Sequence, residues 1–200
     1  MENENTTHVL PMVSRRHDGT ISGILEHYWR SLRGTDAAPS RDLVDPSKLD
    51  TALPYSFVAE IVAPGLCRFR VAGQTIRSFV KMEPRGLPLT SLFAASARDD
   101  LMQHVRRCAD DPAVITLPIH YKQRAFQGRT TGKLILLPLG DGNGSVTRIL
   151  GGFDIAPSQG LKPVSFELGD QSAYRIETIT TAESERPTQW PALRLVVNNA

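Results

Sequence analysis

The stretch from Phe57 to Val80 sets the tightest limit on what this chain forms. Phe57, Ala59 and Ile61 fall on one face of an extended run. Cys67, Phe69 and Val71 fall on one face of a second, with Arg68 and Arg70 pointing the other way. Two half-buried strands so close in sequence pair with each other. They meet at Pro64-Gly65, residues suited to a type I or II turn; tight hairpins favour the mirror-image types, so a slightly longer loop is expected. After Gly73, the residues Ile76, Phe79 and Val80 sit at i, i+3 and i+4, the spacing of a short helix with one apolar face.

Upstream, Ile21, Ile24, Leu25, Tyr28 and Leu32 make one stripe, with Trp29 on its shoulder and Glu26, Arg30 and Arg33 opposite. This predicts an amphipathic helix from Asp18 to Arg33, ended by Gly34. Thr35 to Tyr55 holds three prolines; Asp45-Pro46 is a compact helix start, and Leu49 and Leu53 pack before Pro54 stops the turn. Downstream, residues 83–88 read as a loop and Thr90 to Phe93 as a single helical turn. Ser96 caps a helix running to Asp110, whose stripe is Leu101, Met102, Val105, Cys108 and Ala109. Three strand patterns follow, at Ala113–Arg124, Lys133–Leu139 and Ser145–Ile155. Pro118 marks an edge or a bulge in the first, and the glycine-rich run 140–144 is a turn between the last two.

This order predicts an α+β fold: a five-stranded antiparallel sheet with helices on one face, preceded by the N-terminal amphipathic helix. The expected divisions are a disordered N-terminus at 1–17, helix and linker at 18–56, the core at 57–156, and a polar, mobile C-terminal tail at 157–200, where Ala192 to Val197 offers one further strand pattern.

Two hundred residues suit a single domain that buries about 70% of its unfolded surface. A formal charge of +2 is too small for a nucleic-acid partner, and Arg15-Arg16-His17 and Arg106-Arg107 lack the context of a recognition helix. No stretch approaches the ~20 apolar residues of a membrane span, and the N-terminus has no signal-peptide pattern. A cytoplasmic location is expected, with Cys67 and Cys108 as reduced thiols.

The residues also carry a resemblance. Tyr28-Trp29-Arg30-Ser31-Leu32-Arg33, Pro39, Asp45-Pro46, Leu53-Pro54, Phe69-Arg70-Val71-Ala72-Gly73, Gly86 and Leu137-Pro138-Leu139 together resemble a PAS domain. More closely, they are similar to a bacterial, mostly alphaproteobacterial, family built from one PAS domain behind an N-terminal helix, over about residues 21–155. The resemblance implies a sensory or regulatory module, not an enzyme, acting through protein–protein contacts with a small molecule between sheet and helices. It also implies flanking helices that pair across a two-fold axis in a homodimer, or dock a signalling partner.

Two sets of residues follow. Phe69, Val71, Phe79, Leu101, His104, Val105 and Leu136 are the candidate ligand pocket, with a solid core as the alternative. Ile21, Ile24, Leu25, Tyr28, Trp29 and Leu32 are the candidate interface, with packing on the chain's own sheet as its rival. Other chemistry has weaker footing. Leu66-Cys67-Arg68-Phe69 is similar on the surface to the reactive-cysteine stretch of blue-light flavin PAS domains, but it lies on a strand and lacks the flanking amides. His104 is the one candidate haem ligand, yet it sits at the border of its helix stripe, so no cofactor is predicted. His8, His17, His27 and His120 show no metal-site spacing, and no metal is expected. A haem-based sensor and a small cone-shaped enzyme using a histidine or carboxylate base are the alternative functions.

Overall fold

The computed structural model describes residues 18–122, 129–155 and 165–180. Expectations at 1–17, 157–164 and 181–200, including Arg15-Arg16-His17 and the strand pattern at 192–197, lie outside the described residues.

The hairpin is present as β1 (Ser56–Ala63) and β2 (Leu66–Ala72). Its loop is Pro64 and Gly65 alone, because Ala63 pairs with Leu66 and Gly65 takes φ +74°, an angle glycine adopts without steric cost. The longer loop expected is therefore not formed. A side chain at Gly65 would also run into the Met102 carbonyl, 2.8 Å from its Cβ position. The hairpin tip thus lies directly against the helix Ala95–Asp110.

One sequence expectation fails inside this hairpin for a clear reason. Val58 pairs with Val71, but Ala59 pairs with Phe69, so Arg70 is an extra residue on β2. Such a bulge shifts the alternation by one and turns Val71 to the opposite face from Cys67 and Phe69. Val71 is 58% exposed, whereas Phe69 is fully buried.

Among the described residues the α-helices are α1 (Ile21–Arg33), α2 (Gln74–Val80) and α3 (Ala95–Asp110). The Thr20 hydroxyl accepts the Gly23 N–H at 3.1 Å and starts α1 three residues later than Asp18. α3 starts after Ala94 without a side-chain cap, so Ser96 does not cap it; instead the Ala94 N–H donates to the Phe166 carbonyl at 2.8 Å. Short 3-10 segments at Arg41–Leu43, Pro46–Tyr55 and Leu89–Leu92 fill the linkers. The second is broken at Asp50, which takes φ +42°.

With β3 (Ala113–Lys122), β4 (Arg129–Gly140) and β5 (Val146–Asp154), the first two strands form the expected five-stranded antiparallel sheet in the order β2-β1-β5-β4-β3. Two more strands come from the segment read as a mobile tail: β6 (Phe166–Leu168) and β7 (Arg175–Thr178). Both pair with β3, β7 along residues 113–116 and β6 along 119–121. Pro118 sits in the gap between them. Its carbonyl accepts the Gly169 N–H at 2.8 Å, so its nitrogen, which carries no proton, faces that gap.

The sheet is covered on both faces. On the inner face α2, Leu89–Leu92 and α3 enclose a core of Phe57, Phe69, Leu101, Val105, Leu136, Phe153 and their neighbours. On the outer face α1 and the 3-10 segments cover Val58, Ile135, Leu137 and Leu150. The adjacent glycines of β5 serve one face each. A Cβ on Gly151 would meet the Phe57 ring at 2.3 Å, and one on Gly152 would meet Leu25 of α1 at the same distance.

Candidate functional site

The inner face converges on an aromatic cluster, and its central ring comes from the C-terminal segment. β6 aligns Phe166 with Tyr121 on the inward side of β3. The Phe166 ring stacks on Phe153 with centroids 4.9 Å apart and planes 15° apart, and it meets Phe79, Phe93 and Tyr121 at 5.5, 5.6 and 5.8 Å. Beside it, at the rim, a cleft of about 220 Å³ opens between Phe79, Met82, Leu92 and Phe166.

The candidate pocket residues do not all meet there. Phe69, Leu101, Val105 and Leu136 lie buried in the packed inner core, and Phe79 borders the rim cleft. Val71 is removed to the other face by the bulge. His104 lies near the middle of α3, where its Nε2 is 3.3 Å from Asp100 Oδ1 and its ring stands edge-on to Tyr174 at 5.1 Å. That approach attracts a charge, although it is not aligned as a hydrogen bond. Burial outweighs the pull of Asp100 and holds the His104 pKa below the usual imidazole value. The Tyr174 hydroxyl donates to Asp100 at 3.1 Å; burial and then this carboxylate push its pKa up to about 12.

Cys67 faces the inner core from β2, and burial pushes its thiol up to about 12, so it is protonated at neutral pH. Burial raises Cys108 as well. Among the described residues no group of three or more histidines, cysteines and carboxylates is arranged to hold a metal ion. Nor is any helix among them long and apolar enough to cross a membrane.

The candidate interface residues divide into two groups. Leu25 and Trp29 are fully buried against the chain's own sheet, and Trp29 Nε1 donates to the Pro138 carbonyl at 2.6 Å. Trp29, expected at the shoulder, is the centre of the stripe. Ile21, Ile24, Tyr28 and Leu32 flank it half-buried, and the Tyr28 hydroxyl accepts the Asp45 N–H at 2.7 Å.

A ring of four charges joins α1 to the C-terminal segment. Because β7 alternates, Ile176 packs on the inner core while Arg175 and Glu177 project toward α1. Glu26 accepts from Arg175 at 2.6 Å and from Arg30 at 2.9 Å, Arg30 donates to Glu177 at 2.7 Å, and Arg175 pairs with Glu177. Burial alone would raise the Glu26 and Glu177 carboxyls, but the two arginines more than offset it and hold both below the usual range. Glu26 in turn raises Arg175. Phe166, Tyr174, Arg175 and Glu177 were all missed in the sequence. The alternation Tyr174-Arg175-Ile176-Glu177 was visible, but it is four residues long within a polar run.

On the outer face a half-open groove of about 320 Å³ lies between Pro46–Tyr55 and the β1–β2 hairpin, with Val58 and Leu150 in its lining.

A family model described as PAS domain matches residues 17–153. No curated protein matches the chain. Among solved structures, the light-state structure of the blue-light photoreceptor Aureochrome1 LOV is similar at 11% identity with a TM-score of 0.39, covering 55% of this chain and 87% of that one. A light-oxygen-voltage domain studied with a flavin analogue is similar at 19% identity, also with a TM-score of 0.39, over 56% and 84% of the two chains. The family match runs from α1 into β5, well over half of the 200 residues, and across it the chain belongs to the PAS domain family.

Proposed function

We propose that this is a sensory or regulatory module of the cytoplasm, whose input is a small apolar ligand at the inner core and whose output is the position of the C-terminal segment, read by a protein partner. The observation that carries this reading is Phe166. A ring supplied by β6 sits in the aromatic cluster, at the head of the 220 Å³ cleft, where a flat ligand would compete with it. β6 and β7 pair with the same strand, and β7 is held to α1 by the charge ring. Displacing Phe166 therefore loosens the attachment of both strands and changes the surface that α1 and β7 present together. That surface is where a signalling partner or a second copy would dock, using the half-buried Ile21, Ile24, Tyr28 and Leu32. The ligand acts only through its preference for the displaced state, so its affinity is lowered by the cost of releasing the segment.

Hydrogen exchange on the wild type and on Phe166→Ala tests this. The expected result is faster exchange in β6 and β7 with β4 and α3 still protected, together with retention of small apolar compounds by the variant in native mass spectrometry. Uniform loss of protection across the sheet, or β7 as protected as before, removes the segment from the output.

A further inference from the structure

The outer-face groove is a second site, independent of the inner core. Val58 and Leu150 line it from the sheet, Leu49 and Leu53 from the segment Pro46–Tyr55, and Val71 from β2. Its polar lining is sparse. The Ser56 hydroxyl is already committed, donating to the Leu53 carbonyl at 3.0 Å. Arg41 also lines the groove, half-buried, and among the described residues no carboxylate lies within ion-pair distance of its guanidinium. A half-buried cation beside an apolar slot lacks the counter-charge that burial normally requires. Leu53 and Val71 remain 40% and 58% exposed.

We propose that this groove binds a free long-chain carboxylate, its hydrocarbon chain along Val58, Leu150, Leu53 and Val71 and its head group paired with Arg41. About 320 Å³ is at the small end of ligand sites, which span roughly 300–1,000 Å³, and suits one alkyl chain rather than the paired chains of a bilayer lipid. The apolar side chains are arranged around one recess. The wall opposite the sheet is 3-10 helix broken at Asp50, with weaker hydrogen bonds than an α-helix, so it adjusts to chain length at low cost.

The test is calorimetric titration of the full-length protein with octanoate, decanoate and dodecanoate, each below its micelle concentration, and with decanol as the uncharged control. Affinity is expected to rise by up to about fourfold per added methylene. Val71→Glu, a change at an exposed position that leaves the fold intact by circular dichroism, should weaken dodecanoate at least tenfold. Arg41→Gln should weaken decanoate about tenfold and leave decanol unchanged. Absence of saturable binding overturns the proposal, as does binding indifferent to Val71→Glu, which would put the chain in the inner core. Equal losses for decanoate and decanol in Arg41→Gln also overturn it. So does light scattering that shows self-association abolished by Val71→Glu with no carboxylate bound, since the groove would then hold a second copy.

Discussion

The two faces of the sheet are made from the same strands and have opposite character. The inner face is dense with aromatic rings, its buried members withdrawn from solvent, and Phe166 stacks at its centre beside the rim cleft. The outer face is sealed by Leu25 and Trp29 along its middle but left open at the β1–β2 end, where its cover is 3-10 helix. A regular helix closes a sheet because its stripe repeats along its length. Pro46–Tyr55 has a proline inside and a kink at Asp50, and covers only what Leu49 and Ala52 reach. Space follows from the quality of the covering element, and the face on which ligands are expected in such folds is here the fuller one.

Substitutions that load one face at a time sharpen this contrast. Trp29→Ala should cost the most, about 3–5 kcal/mol in denaturant unfolding, since it leaves a ring-sized cavity and the Pro138 carbonyl without its partner. A loss under about 1 kcal/mol would mean that α1 is not the seal of the outer face. The β5 glycines come next. At Gly151 a Cβ would press on both the Phe57 ring and the Ile135 carbonyl, 2.8 Å away, and neither has room to move in a filled core. Gly151→Ala should therefore cost toward the upper end of the ~1–3 kcal/mol of overpacking, and Gly152→Ala less, because the tip of Leu25 turns aside. The reverse order would reverse the account of which face is tightly packed.

Acidification should separate the faces by pH. His104 has a folded pKa below its ordinary value of 6.5, so the unfolded chain binds the proton more readily; its contribution to stability is present above about pH 6.5 and declines as pH falls below that. Glu26 and Glu177 also have lowered pKa values, from an ordinary 4.5, and their contribution persists until pH falls below about 4.5. Hydrogen exchange followed down the pH scale should show protection lost first around α3 and Tyr174, and only later between α1 and β7. Simultaneous loss would mean the two attachments are one cooperative unit. The smallest expected effect is a gain. Asp50 holds φ +42°, a region that disfavours a side chain, so Asp50→Gly should raise stability by about 1 kcal/mol, read as a shift in melting temperature.

Much of this architecture was legible in the sequence wherever a period ran long enough. The hairpin, α1, α3 and the strands β3, β4 and β5 announced themselves through repeats of 2 or 3.6, and their order led to the five-stranded sheet. What escaped had local causes. One extra residue at Arg70 sent Val71 to the wrong face of the expected pocket, and periodicity carries no sign of a bulge. Trp29 and the smaller members of its stripe were ranked by helical angle, whereas burial is decided by what Pro138 offers across the interface. β6 has three residues and β7 four, too short for any period, so their place depends on pairing with a strand more than forty residues earlier. The outer groove belongs to irregular backbone, where pattern has nothing to repeat.

Pro118 has a consequence for solubility. Were β6 and β7 released, the rim of β3 would be uncovered, and a long row of free amides and carbonyls is a template on which other chains add and fibrils grow. Here the row is never long. Residues 113–116 and 119–121 are separated by a proline that has no amide proton to give, so the rim of β3 would be interrupted near its middle, one of the ways in which an edge strand is blunted.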